Sequence, residues 1–265
     1  MDLAAAREVF ARQVTAGAGW PAGDARLYEA FRATPREDFL GPLVLHPPGR
    51  IYRDEPIPLT ATGINNGQPS LHAYCFAALD PRLGEHAVHV GAGAGYYTAI
   101  LARLVGADRP GGGRVDAYEI EPGLVRAAVA NLAAFAGVRV HDASGATAPL
   151  PSAGIVYVNC GASGPLARWL EALTPDGRLL FPLTGDSGSG AMLLVTRGAA
   201  DRPWPARFLV PVMFIGCDGA RTPAEAAAVS AAFRHGRTET VRCLLRGPVP
   251  DSAAWCSTPA WSLLP

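Results

Sequence analysis

A glycine-rich segment, residues 91–95 (GAGAG), constrains the fold of this 265-residue chain more than any other feature. An apolar run at 87–90 precedes it, a helical pattern at 97–104 follows it, and Glu119 lies at the end of the next apolar run. Glycine lets a backbone approach a ligand closely, and a carboxylate accepts hydrogen bonds from both hydroxyls of a ribose. This order of elements predicts a site for a cofactor that contains adenosine.

The spacing of the glycines separates two kinds of cofactor. They form G-x-G-x-G, and Tyr96 occupies the position where a dinucleotide-binding fold requires its third spaced glycine. A pyrophosphate is therefore not implied, and S-adenosylmethionine is favoured over a dinucleotide. The alternative is a tight turn without a ligand. Glu119 argues against this alternative, because an acid is an unusual end for an apolar strand.

Composition and charge exclude several other classes of protein. The chain has 23 basic and 23 acidic residues, so no net charge attracts nucleic acid or an anionic membrane. All the basic residues are arginines, which excludes Schiff-base chemistry and a P-loop lysine. The five cysteines and the histidines show no spacing typical of a metal site or a disulfide framework. We therefore expect no metal.

Cysteine usage and hydropathy also indicate a compartment. An odd, scattered set of cysteines is typical of reduced thiols in the cytosol. No apolar run is long enough to span a bilayer, and the first residues do not resemble a secretory signal. We expect a cytoplasmic protein.

From about residue 70 the pattern alternates short strands with helices. Strands are predicted at 87–90, 114–120, 138–141, 155–159 and 178–182, and helices at 71–79, 97–104, 124–135 and 165–173. Such alternation predicts right-handed crossovers and an α/β fold with a doubly wound, mostly parallel sheet. Ligands of such sheets bind beyond the carboxyl ends of the strands.

The flanking segments suggest three regions. Helices are predicted at 3–15, 24–32 and 223–233, and strands at 192–196, 208–215, 241–245 and 255–263. We expect an N-terminal helical cap and substrate loop at 1–70, a cofactor-binding core at 71–215 and a C-terminal extension at 216–265.

Six motifs, in this order, resemble those of protein-L-isoaspartate O-methyltransferases, which are class I enzymes that use S-adenosylmethionine. They are residues 34–39 (TPREDF), 52–58 (YRDEPIP), 69–74 (PSLHAY), 91–104 (GAGAGYYTAILARL), 118–122 (YEIEP) and 173–182 (LTPDGRLLFP). The resemblance extends over about residues 8–215 and does not cover the last fifty or so. It implies a seven-stranded Rossmann-like methyltransferase sheet.

Position by position, the resemblance implies a set of cofactor contacts. Those near the methionine part follow the first strand: His89, Gly91, Ala92, Gly93, Gly95 and Tyr96. Glu119 would hold the ribose hydroxyls, and Ile120 would lie against adenine. The remaining contacts follow the third and fourth strands: Ser144, Gly145, Asn159 and Cys160.

Three departures from the family pattern bear on function. His89 stands where the family has an acid, and it is either a cofactor residue or a strand-end histidine bonded to backbone. Gly145 stands where an acid near the adenine amino group is expected, and Asp142 would serve if the loop shifts. Gly67 occupies the position of the family's catalytic serine, where it would leave room for a larger substrate.

The loss of the serine changes what the acceptor loop can do. A carboxylate is ionised near neutral pH, so its methylation needs alignment more than a base. Asn65, Asn66 and Gln68 carry amides that can clamp a carboxylate, or they form an Asx turn without substrate contact. His72 would act as a base for a hydroxyl or amine acceptor, and is otherwise a helix-start histidine bonded to backbone.

These features predict an S-adenosylmethionine-dependent O-methyltransferase that esterifies a carboxylate of a peptide or natural product. The alternatives are a true isoaspartyl repair methyltransferase, against which Gly67 argues, and a cofactor-binding protein without turnover. A nicotinamide dehydrogenase is the weakest alternative because of Tyr96. The expected partner is a peptide or small-molecule acceptor, and neither nucleic acid nor a membrane. The sequence does not specify an oligomeric state.

Overall fold

Two compact units make up the chain, which is seen in a computed structural model that describes residues 2–41 and 48–265. The first unit comprises Met1–Ala87 and Ala92–Ala143, and the second comprises Val88–Gly91 and Ser144–Pro265. Strand β1 (His86–Val90) contributes residues to both. The three predicted regions, 1–70, 71–215 and 216–265, were defined by expected function and not by compactness. Their boundaries stay a prediction.

Helices dominate the first unit. They are α1 (Leu3–Ala16), α2 (Arg26–Arg32), the short α3 (Pro48–Ile51), α4 (Pro69–Leu79), α5 (Tyr96–Val105) and α6 (Pro122–Asn131). Asp2 caps α1 by accepting the Ala4 N–H at 2.9 Å. Helix α2 begins two residues later than predicted, because Asp24 accepts the Arg26 N–H ahead of the first turn. The apolar faces of α1 and α2 bury Phe10 and Phe31.

The strands of the first unit are arranged in the order β3-β2-β1. Strands β2 (Arg114–Glu119) and β3 (Val138–Asp142) pair in parallel, with Glu119 opposite Asp142 at their carboxyl ends. The predicted strands at 114–120 and 138–141 are therefore confirmed to within a residue. Both carboxylates lie at the edge of the sheet where ligands of doubly wound folds bind.

The second unit continues the sheet in the order β1-β4-β5-β6-β7-β8-β10-β9. Its elements are β4 (Ala153–Val158), α7 (Ala167–Ala172), β5 (Leu173–Thr184), β6 (Ser189–Thr196), β7 (Trp204–Met213), α8 (Pro223–His235), β8 (Cys243–Arg246), β9 (Cys256–Ser257) and β10 (Trp261–Leu264). Strands β4 and β5 are parallel, and each later pair in this order is antiparallel.

The α/β prediction is confirmed. Seven strands, β1 to β7, precede the C-terminal extension, and the extension adds three more, so that the described residues form ten strands in a mixed sheet. Strand β5 begins at Leu173, where helix was predicted, because Leu173 pairs with Ala153 of β4. The C-terminal extension adds three strands, and its β8 pairs with β7 through Trp204 and Leu244.

Residues 2–41 and 48–265 contain neither a membrane-spanning helix nor a cluster of metal ligands. No helix there is long and apolar enough to cross a membrane. No group of three or more histidine, cysteine or acidic side chains in these ranges could hold a metal ion.

Candidate functional site

The glycine turn after β1 depends on backbone conformations that disfavour other residues. Gly91, Gly93 and Gly95 have φ angles of 77°, 57° and 95°, all in the left-handed region. A Cβ on Gly95 would lie 2.8 Å from Leu132 Cδ1, so α6 packs directly against the turn. Any side chain at these positions would be strained, which explains the alternation of glycine and alanine.

Glu119 reaches from the end of β2 back to this turn. Its Oε2 accepts the Gly93 N–H at 2.7 Å, and its Oε1 accepts the N–H groups of Ile120 and Glu121 at 2.9 and 3.0 Å. Three backbone donors hold the carboxylate in one orientation and leave one of its lone pairs, on Oε2, for a ligand. Next to it, Ile120 is 49% exposed.

Tyr96 lies apart from the ligand-facing side of the turn. Its ring is 2% exposed and packs against Phe31 and Phe39, with ring centroids 6.4 and 5.6 Å away. Burial raises the pKa of its phenol. The side chain therefore belongs to the core of the first unit, and a cofactor contact at this position would use the backbone.

The acceptor loop forms the end of a short hairpin. The Asn66 N–H donates to Ile57 O at 3.0 Å, and Asn66 Oδ1 accepts the Ile57 N–H at 2.9 Å and Arg36 Nη2 at 3.3 Å. Leu59, within the hairpin, lies 3.3 Å from where a Cβ on Gly93 would stand. The hairpin thus covers the glycine turn, and the side-chain oxygen of the buried Asn66 holds it together.

Asn65 and Gln68 are the exposed amides of this loop. Asn65 Oδ1 accepts the Gly67 N–H at 2.9 Å, which is an Asx turn. Gln68 Nε2 donates to Asp54 Oδ2 at 3.1 Å, and Asp54 Oδ1 accepts the Ser70 N–H at 2.8 Å. Asp54 therefore caps the start of α4 and fixes Gln68. Sequence reasoning missed this role, although proline at the first position of α4 indicated where a cap was needed.

His72 lies directly beneath Gly67. It is 2% exposed and stacks on Tyr97, with 3.4 Å between the ring centroids and 7° between the planes. The Tyr97 hydroxyl donates to Gly67 O at 3.3 Å. A Cβ on Gly67 would overlap His72 Nε2. The expectation that Gly67 leaves room for a larger substrate is therefore wrong, because the imidazole fills that space.

In the second unit, His89 is fully buried, and burial lowers its pKa to about 3, so the imidazole is neutral. Asn159 Nδ2 and His89 Nε2 lie at hydrogen-bond distance, 2.7 Å apart, and the Asn159 N–H donates to Val90 O at 2.8 Å. His89 thus contacts a side chain that was itself predicted to border the cofactor.

The other predicted residues of the second unit are held by its loops. Ser144 Oγ donates to Asp218 O at 3.2 Å, and Gly145 O accepts Trp169 Nε1 at 2.9 Å. Cys160 is partly buried. Gly145 is buried and its carbonyl is engaged. In the first unit, Asp142 is exposed beside Glu119 and is the better candidate for the adenine amino group.

Comparison with known proteins agrees with this geometry. The sequence profile described as protein-L-isoaspartate(D-aspartate) O-methyltransferase matches residues 21–220. A protein-L-isoaspartate O-methyltransferase of Methylorubrum extorquens (strain PA1) is 35% identical over 196 residues, which are 72% of this chain and 80% of that protein.

Solved structures with these names share the fold. One protein-L-isoaspartate O-methyltransferase superposes with a TM-score of 0.68 at 22% identity, covering 79% of this chain and 65% of that one. A putative protein-L-isoaspartate O-methyltransferase from Plasmodium falciparum, solved with S-adenosyl-L-homocysteine, superposes with a TM-score of 0.67 at 18% identity. It is matched over 80% of this chain and 98% of its own.

Proposed function

Because the chain belongs to the protein-L-isoaspartate O-methyltransferase family, we propose that it methylates a carboxylate oxygen of a peptide or natural product. The predicted family, methyltransferase class and S-adenosyl-L-methionine cofactor are confirmed by the family match. The acceptor and the role of each site residue are the proposal. The cytoplasmic location stays a prediction.

One observation carries the cofactor half of this proposal. Glu119 Oε2 accepts the Gly93 N–H at 2.7 Å, which ties the carboxylate at the end of β2 to the glycine turn. A carboxylate fixed in this way can accept from a ribose hydroxyl through the remaining lone pair of Oε2 without reorganisation. The exposed Ile120 supplies an apolar face for adenine, and Asp142 supplies an acceptor for its amino group.

The acceptor half rests on the exposed amides. S-Adenosylmethionine, when bound, supplies a methyl group on a sulfonium, open to in-line attack. A carboxylate acceptor arrives ionised, so the residues around it need to orient it and exclude water. Asn65 and Gln68 carry amide groups at the surface of the loop, and Asp54 holds Gln68 in place. His72 and the buried Asn66 support the loop from below.

A direct assay tests this proposal. The protein is incubated with methyl-labelled S-adenosylmethionine and a panel that contains an isoaspartyl peptide, its aspartyl isomer, and matched peptides ending in an alcohol or an amine. We expect a base-labile methyl ester, seen as a gain of one methyl group by mass spectrometry, together with S-adenosylhomocysteine. Label on the alcohol or amine alone would contradict the carboxylate assignment, and no product from any acceptor would contradict turnover.

A further inference from the structure

The carboxamide of Asn159 points in a direction set by His89. We propose that Asn159 Oδ1, oriented by His89, accepts a hydrogen bond from the α-ammonium group of the cofactor's methionine part. This inference rests on the proposed function, since it assigns a contact to the same cofactor. Family resemblance places an acid at position 89, and this chain has a buried imidazole there instead.

The first step is the orientation of the amide. A fully buried imidazole stays neutral, because burial penalises the charged form. We assign the proton of the neutral ring to Nδ1, so that Nε2, 2.7 Å from Asn159 Nδ2, accepts from it and keeps the nitrogen of the carboxamide on the histidine side. The ring is itself held by stacking on Tyr157, with 5.3 Å between centroids and 14° between planes. Asn159 Oδ1 must then point away from His89.

The second step is the state of that oxygen. Asn159 Oδ1 is buried, and no donor among the residues that the structure describes lies within hydrogen-bond distance of it. Buried carbonyl oxygens are rarely left without a partner, because desolvation is then uncompensated. A ligand that brings an N–H donor to this point would remove the penalty.

The third step is location. The Asn159 N–H is bonded to Val90 O, and a Cβ on Gly91 would lie 3.4 Å from the Asn159 carbonyl. The side chain therefore stands against the first glycine of the turn, where the family resemblance places the methionine part. Of the groups on that part, only the α-ammonium is an N–H donor. A neutral oxygen attracts it less than the family's acid would, and binding should depend correspondingly less on salt.

Binding calorimetry with two ligands tests this contact without turnover. The ligands are S-adenosylhomocysteine and its deaminated analogue, in which hydrogen replaces the α-amino group. We expect the wild-type protein to bind S-adenosylhomocysteine about tenfold more tightly than the analogue, as for one charge-assisted hydrogen bond. Asn159→Ala should bring this ratio close to one and leave affinity for the analogue unchanged.

His89→Phe is the matched variant, since it keeps a ring for Tyr157 and removes the nitrogen that orients Asn159. We expect it to lower the ratio as well. If Asn159→Ala fails to fold, nitrogen NMR of the wild-type protein tests the inference instead. His89 Nε2 should be unprotonated, and its chemical shift should change more on binding S-adenosylhomocysteine than on binding the analogue.

Three results would overturn the inference. If both variants kept the wild-type ratio of affinities for the two ligands, Asn159 Oδ1 would bind only a water molecule. If His89 Nε2 were protonated, it would donate to Asn159 Oδ1, and the amide nitrogen would point away from His89 instead. A wild-type protein that binds neither ligand would remove the proposed function together with the inference. Either of the first two results, with S-adenosylhomocysteine still bound, would remove the inference alone.

Discussion

The imidazole of His72 occupies the volume into which a side chain at Gly67 would project. Stacking on Tyr97 holds the ring there, and the φ angle of 71° at Gly67 favours glycine independently. The glycine and the histidine are therefore a matched pair. The hydroxyl that the family presents at this position has no space here while the imidazole keeps its place.

Gly67→Ser, which introduces the family's residue, should destabilise the protein. Overlap with the buried imidazole and the left-handed backbone together should cost about 2–4 kcal/mol of unfolding free energy, and methyl transfer to an isoaspartyl peptide should not increase. Urea unfolding and the methyl-ester assay measure both effects. The double variant Gly67→Ser with His72→Ala should recover part of the lost stability. The control is Gly67→Ala with His72→Ala, which differs from it only by the serine hydroxyl. A single Gly67→Ser variant as stable as wild type would contradict the overlap.

Glu119→Gln should weaken cofactor binding. The variant keeps the shape of the side chain but removes the charge that accepts from Gly93 and from the ribose, so affinity for S-adenosylhomocysteine should fall by about tenfold to a hundredfold. Calorimetry measures the change. Glu121→Gln is the matched control, because Glu121 caps α6 through Leu124 and has no proposed ligand contact. Equal affinity in both variants would remove Glu119 from the site.

Asp116 should make stability depend on pH. Hydrogen bonds from His86 and His141, at 2.6 and 2.5 Å, hold the pKa of its carboxyl below the usual value, with His86 the larger cause. A lowered folded-state pKa adds stability above the unfolded-state pKa of about 3.9, and this stability is lost as pH falls through the folded-state value.

Asp116→Asn should therefore be less stable than wild type by about 1 kcal/mol at pH 6, after allowance for the partly exposed site. The difference should begin to shrink as the pH falls below about 4 and vanish once the pH is below the folded-state pKa of Asp116. Urea unfolding from pH 7 to pH 3 measures both curves. A difference that does not change with pH would show that Asp116 contributes by packing alone.

Trp261 should anchor the C-terminal extension through Glu225. Its Nε1 donates to Glu225 Oε1 at 3.0 Å, and the second carboxylate oxygen is bonded to Ser163 and Thr222. Trp261→Phe removes one donor from a carboxylate and should cost about 1.5–3 kcal/mol of unfolding free energy. Trp255→Phe removes a donor from a neutral carbonyl, that of Gly236, and should cost less. The reverse order in urea unfolding would contradict this anchor.

The sequence predicted those elements whose structure depends on residues close to them in the chain. Helix α5 and strands β1 and β2 follow from their apolar runs and from the glycines between β1 and α5. The start of β5 at Leu173 could not be predicted, since pairing with Ala153 of β4 overrides its helical pattern. Strands β8 to β10 are so short that their sequences do not indicate which strand each one pairs with.

The candidate site divides in the same way. The glycine turn and Glu119 could be predicted, because the turn requires residues that tolerate a left-handed backbone. The inward direction of Asn66 could not, since its partner Arg36 is 30 residues away. The overlap of Gly67 with His72 depends on one rotamer and one φ angle, which residue types do not specify.

The sheet order ends at β9, a strand of only two residues, Cys256 and Ser257. A long open edge invites another polypeptide to add itself as the next strand, and short terminal strands are one way in which proteins avoid this. We expect the two-residue β9 to offer little edge for such an addition. Removing residues 256–265 would uncover β8 and make the remaining chain prone to precipitate.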